Sequence, residues 1–110
     1  MIVCMPIGEN GQIGDGWGRA HDVAVARIGA DGEMLDWIEF PVHWDTLHDQ
    51  GGEGQHHARI ARFLMDHGVE RVISGHMGPG MVHMLEKMNI STVLDVRGDA
   101  RDIARQYGGS

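Results

Sequence analysis

The apolar run Ile2-Val3-Cys4-Met5-Pro6-Ile7, closed by Gly8, is short and nearly unbroken, which predicts a buried first strand over residues 2–7. Residues 8–21 follow as a long glycine-rich loop. Apolar and polar positions then alternate through "DVAVARI" (22–28) and "MLDWIEFPV" (34–42), with Asp31-Gly32 between them. That pattern predicts an antiparallel hairpin. Residues 43–54 are polar and read as irregular chain. From Gln55 the period changes. His57, Ile60, Ala61 and Leu64 share one helical face, and Gly68 stands where a left-handed residue ends a helix, with Val69 placed to pack back on Leu64. "RVIS" (71–74) is a fourth strand. Pro79 suits the first position of the next helix, because its missing N–H would have no partner there. Met81, Leu85 and Met88 form that helix's apolar stripe, and Asn89 and Ile90 close it. "STVLDV" (91–96) is the last strand, and Asp99 caps a final helix carrying Ala100, Ile103, Ala104 and Tyr107 on its inner face.

The order is β-β-β-α-β-α-β-α. Right-handed crossovers put the later strands beside the first. The expected architecture is therefore one α/β domain over residues 1–110, with a mixed five-stranded sheet of order 3-2-1-4-5, strand two antiparallel, and helices on both faces. Strands one, three, four and five would point the same way. The loops after them, and the N-termini of all three helices, would share one edge, where ligands bind in open α/β sheets.

Composition narrows the function. A net charge of −7 removes the basic face that a nucleic-acid binder needs. No apolar stretch is long enough to span a bilayer, and "MIVCMPIGEN" lacks a basic start and a secretion-type apolar core. The expectation is a cytoplasmic protein with no membrane or nucleic-acid partner. One cysteine, Cys4, excludes an internal disulfide framework and a four-cysteine metal site. Its place in strand one predicts a buried, inert thiol.

The chain also holds 8 histidines, and the predicted topology sends most of them to one rim. His21, His43, His48, His56, His57 and His76 fall in or beside the rim loops, whereas His67 falls at the opposite edge. In "SGHMGPGM" (74–81) the glycines leave the backbone bare where a strand turns into a helix. The helix start would offer free N–H groups to an anion, and His76 a neutral imidazole. The same stretch also fits a plain tight turn with a hydrogen-bonded histidine. Adjacent residues on a helix point about 100° apart, so His56 and His57 cannot both easily reach one ion. Arg19 can clamp an anion or pair with Asp15 or Asp22. The candidate ligand contacts are Gly18, Arg19, Gly75, His76, Met77, Gly78 and Pro79, and the candidate metal ligands are His76, His56, His57 and His21.

"GWGRAHDVAV" resembles a segment written H-F-G-R-A before a strand, with Gly16 and Trp17 in place of His-Phe. "GGEGQHHARIARFLMDHGVERVISGHMGPGMVHMLEKMNI" resembles a glycine-rich helix start leading to V-I-x-G-x-[MI]-G-P, and "GHMGP" is its most specific part. Together these stretches resemble the dinitrogenase iron–molybdenum cofactor family over about residues 2–108. The resemblance implies a ribonuclease H-like α/β/α fold. It implies a small non-enzymatic protein that binds or carries a metal ion or an iron–sulfur/molybdenum-type cluster. A regulatory or interaction domain with no bound cofactor is the alternative. A two-metal hydrolase needs clustered carboxylates on strand one, and "IVCMPI" has none.

Overall fold

A computed structural model describes residues 1–47 and 51–109. The strands are β1 (Ile2–Ile7), β2 (Asp22–Ile28), β3 (Met34–Pro41), β4 (Arg71–Ile73) and β5 (Ser91–Val93). They form one sheet in the order β3-β2-β1-β4-β5. β2 is antiparallel to both neighbours, and β4 runs parallel to β1 and β5. The α-helices are α1 (Trp44–Leu47), α2 (Glu53–Asp66), α3 (Pro79–Lys87) and α4 (Ala100–Tyr107). The sheet order and the mixed strand directions are those the sequence predicts. No described helix is long and apolar enough to cross a membrane.

Alternation along β1 builds two cores. Cys4 joins Val23, Val72, Ile60, Leu64, Met81 and Leu85 on the α2–α3 face. Val3 and Met5 join Ala24, Ile28, Ile73, Ala100 and Ile103 on the α4 face. Successive strand residues point to opposite faces, so one short apolar run feeds both layers.

Helix ends follow local chemistry. The Asp99 carboxylate accepts from the Asp102 N–H at 3.1 Å and caps α4. Gly68 at φ +64 and Asn89 at φ +59 stop α2 and α3. In each case the next N–H returns to the helix, Val69 to the Leu64 carbonyl and Ile90 to that of Leu85. These are the left-handed stops expected at both positions.

Several local expectations change. Segment 43–54 is not all irregular, because Trp44 is buried against Trp17 and Phe63 and nucleates the short α1. α2 starts at Glu53 rather than Gln55. β4 ends at Ile73, and β5 ends at Val93, after which Asp95 at φ +63 turns the chain. The inner stripe of α2 is His56, Ile60 and Leu64, so His56 and not His57 faces the core.

Candidate functional site

The carboxyl edge of β1 and β4 is built by backbone pairing. The Trp17 N–H donates to the His76 carbonyl at 3.1 Å, and Gly16 and His76 form a parallel bridge. A Cβ on Gly75 would stand 3.0 Å from the Asp15 carbonyl oxygen and 3.2 Å from its Cα. Gly75 is therefore bare because the chain's own loop lies against it. A Cβ on Gly78 would meet nothing within 4 Å. The two glycines of one motif thus do different things, one admitting a loop and the other leaving space.

That space is a cleft of about 450 Å³ between the Trp17-Gly18 loop and the starts of α2 and α3. Glu53, His56 and His57 line it from α2, and Met77 through Met81 line it from the β4 exit and α3. Neither helix has a side-chain cap, since Gly52 and Gly78 occupy the N-cap positions. The Gln55 N–H turns back to the Gly52 carbonyl at 3.1 Å and Pro79 has no N–H, which leaves the N–H groups of Glu53 and Gly54 in α2 and of Gly80 and Met81 in α3 at the positive end of each helix dipole. Trp17 is a fully buried residue of the cleft wall, and its indole Nε1–H has no hydrogen-bond partner among the described residues. A buried donor left without an acceptor costs about 1–3 kcal/mol.

The two adjacent histidines divide the work. His56 is buried, its Nε2 lies 2.7 Å from the Gly18 carbonyl, and its Nδ1 lies 3.0 Å from the Arg59 guanidinium. A carbonyl only accepts and a guanidinium only donates, so the ring is the neutral Nε2–H tautomer. Both nitrogens are committed, and His56 positions the Gly18 loop instead of offering a lone pair to a metal. His57 is half-buried beside the cleft, with Nε2 3.7 Å from a Glu53 carboxylate oxygen. Its ring packs over Gly80, where a Cβ would lie 3.3 Å from His57 Cε1.

The remaining candidates do not converge on this cleft. His76 is exposed and lines a separate depression of about 290 Å³ with Asp15, Gly75, Asp95 and Arg97. The β4 exit turn places Met77 on the first side and His76 on the other. Arg19 is exposed and outside both linings, whereas Gly18, Gly78 and Pro79 belong to the cleft. His21 pairs with Asp45 beyond the cleft lining. Partial desolvation raises the Asp45 carboxyl, but the His21 hydrogen bond and charge, with the Thr46 N–H, outweigh it and hold it below its ordinary value. His67 packs on Phe40 and Phe63 at the opposite edge. His48 lies outside the described residues. Cys4 is fully buried, and burial pushes its thiol far up.

The Trp17 indole is the cleft feature that sequence reading missed. Its only signal was an aromatic among the glycines of "GDGWGRAH". Residues 1–109 match the family model described as dinitrogenase iron-molybdenum cofactor. Among solved structures, "Crystal structure of PH0822" aligns with a TM-score of 0.76 and 20% identity, covering 100% of this chain and 93% of that one. At that identity the likeness concerns the fold. No curated protein matches the sequence.

Proposed function

Because the chain belongs to the dinitrogenase iron–molybdenum cofactor family, we propose that it is a non-enzymatic protein taking an anionic, metal-containing ligand as cargo. The binding place is the cleft between the Trp17-Gly18 loop and the starts of α2 and α3. The observation that carries this reading is the buried Trp17 Nε1–H without an acceptor in the wall of that cleft. That N–H is covered in the structure, so an oxo or sulfido group of the cargo supplies the missing acceptor only by displacing the atoms that cover it. The uncapped first turns of α2 and α3 supply further N–H donors, in the manner of helix-bound phosphates.

The donor set fits a preassembled cargo better than a cluster built on the protein. The cysteine is buried and protonated, so no thiolate is offered. His57 provides one imidazole, and Met77 and Met81 provide thioethers. The cargo's inorganic core is therefore held mostly by hydrogen bonds, with His57 the one nitrogen ligand within the cleft among the described residues. Glu53, at the lip, disfavours negative charge.

The test is calorimetry on untagged, anaerobic protein with molybdate and with a reconstituted iron–sulfur cluster. His57→Ala should weaken binding at least tenfold, whereas Glu53→Gln should tighten it by removing a like charge. Ligation through a neutral imidazole should weaken in acid, because a protonated ring offers no lone pair, but anion binding by backbone N–H groups alone should not. His76→Ala reports whether the cargo extends over the β4 exit turn. If the parent binds neither probe, the interaction-domain reading takes its place. If His57→Ala binds as tightly as the parent, the cleft assignment is wrong.

A further inference from the structure

The structure places a second set of metal-ligating side chains away from the cleft lining. His21, His43 and Asp45 are all exposed, and each offers a donor atom within 4.8 Å of the other two. His21 Nδ1 lies 3.1 and 3.2 Å from the two Asp45 carboxylate oxygens. The His21 and His43 rings meet edge to face with centroids 4.4 Å apart. A four-coordinate ion with ligands at about 2.1 Å separates its donors by about 3.4 Å. The His21–Asp45 edge of that figure is already formed, and with all three donors inside 4.8 Å the others need closures of no more than about 1.4 Å.

The arrangement is fixed by the fold. The His43 N–H donates to the His21 carbonyl at 3.0 Å, and the Asp45 N–H to the Ala20 carbonyl at 3.3 Å. These bonds continue the β2–β3 pairing beyond Asp22 and Pro41. Between His43 and Asp45 stands Trp44, 2% exposed and packed on Trp17 and Phe63. That anchor pulls its own side chain inward and leaves its two neighbours on the surface beside His21. His43 holds φ +55, a conformation rare for a non-glycine residue, to make the turn.

We infer that His21, His43 and Asp45 form a surface site for a late first-row divalent ion of the zinc type. Two imidazoles and one carboxylate favour such ions over magnesium or calcium, which prefer all-oxygen sets. Ligation through His21 Nδ1 takes the Nε2–H tautomer, because a ligating nitrogen must be unprotonated. Three protein ligands leave at least one position open to water, and exposure makes the ion exchangeable.

The test is titration of untagged protein at pH 7.5 with zinc chloride by calorimetry, and with cobalt(II) by visible absorption. The expected result is saturation at about one ion per chain, with the intensified cobalt bands of a low-coordinate site. His21→Ala, His43→Asn and Asp45→Asn should each weaken binding at least tenfold. Asparagine is used at 43 because it tolerates positive φ. All three positions are exposed, so the thermal midpoint should stay near the parent's. His57→Ala should leave zinc binding unchanged, which separates this site from the cargo cleft. Absence of saturable binding in the parent, or zinc affinity unaffected by His21→Ala, would overturn the inference, leaving only a surface ion pair.

Discussion

Two glycines of "SGHMGPGM" provide an internal control, because they have different neighbours three residues apart. In Gly75→Ala the new methyl would sit 3.0 Å from the Asp15 carbonyl oxygen, 3.2 Å from its Cα and 3.4 Å from its carbonyl carbon. Those atoms are backbone and cannot rotate away. Relief requires the 14–17 loop to move off the β4 exit, loosening the Trp17 N–H bond to the His76 carbonyl. Overpacking of this kind costs about 1–3 kcal/mol. The lower backbone freedom of alanine in the unfolded chain returns about 0.4–1 kcal/mol. The net expectation is a loss of about 1.5 kcal/mol. For Gly78→Ala the methyl meets nothing within 4 Å, and φ −68 with ψ 154 suits alanine. Alanine is a poorer N-cap than glycine by about 0.5–1 kcal/mol, which the same entropic gain offsets. Urea unfolding followed by tryptophan fluorescence reads both. With a slope of about 1–2 kcal/mol/M, Gly75→Ala should lower the midpoint by roughly 0.7–1.5 M, and Gly78→Ala should leave it nearly unmoved. Equal midpoints for the two variants would refute the assignment of Gly75 to loop packing and Gly78 to open space.

Leu85 is fully buried in the α2–α3 core, so Leu85→Ala should cost about 2–5 kcal/mol and lower the same urea midpoint. His56→Ala removes the bonds to the Gly18 carbonyl and to Arg59 and leaves a void, for a loss of about 2–4 kcal/mol. His57→Ala, tested alongside, should change stability by less than about 0.5 kcal/mol. Burial raises the Cys4 thiol, so a thiol reagent at pH 8 should label the native protein negligibly and the urea-unfolded protein fully. Fast native labelling would show that β1 opens to solvent.

Features set by local chemistry were legible in the sequence. Pro79 at a helix start, Asp99 as a cap, and Gly68 and Asn89 as stops each depend on a few neighbouring residues, and all four stand where expected. The sheet order followed from crossover handedness applied to those elements. The distribution of histidines did not follow. His56 and His57 are 100° apart on α2, and the choice of inner ring is made by the Gly18 carbonyl, 38 positions away. Periodicity cannot resolve that choice, because both assignments keep Ile60 and Leu64 inside. The expectation of one convergent rim failed for a similar reason. An edge holds more than one depression, and the β4 exit turn separates His76 from His57. Trp44 falls in a segment that the sequence presents as irregular, because its partners, Trp17 and Phe63, are distant in sequence.

The latch between the 14–17 loop and the β4 exit uses main-chain atoms: Gly14, Asp15 and His76 carbonyls, and the N–H groups of Gly75, His76 and Trp17. The Ser74 hydroxyl also donates to the His76 carbonyl, at 3.2 Å. At Gly16, in the middle of the latch and bridged to His76, a Cβ would meet nothing within 4 Å. The scaffold therefore does not constrain what residue 16 carries, provided the backbone angles are kept. A single codon there can place an imidazole, a carboxylate or a hydrogen on the rim next to His76 while the sheet and both cores stay as they are. Substitution at this position would alter what the rim presents beside His76 while leaving the fold intact, so chains of one architecture can differ in rim chemistry by a single residue.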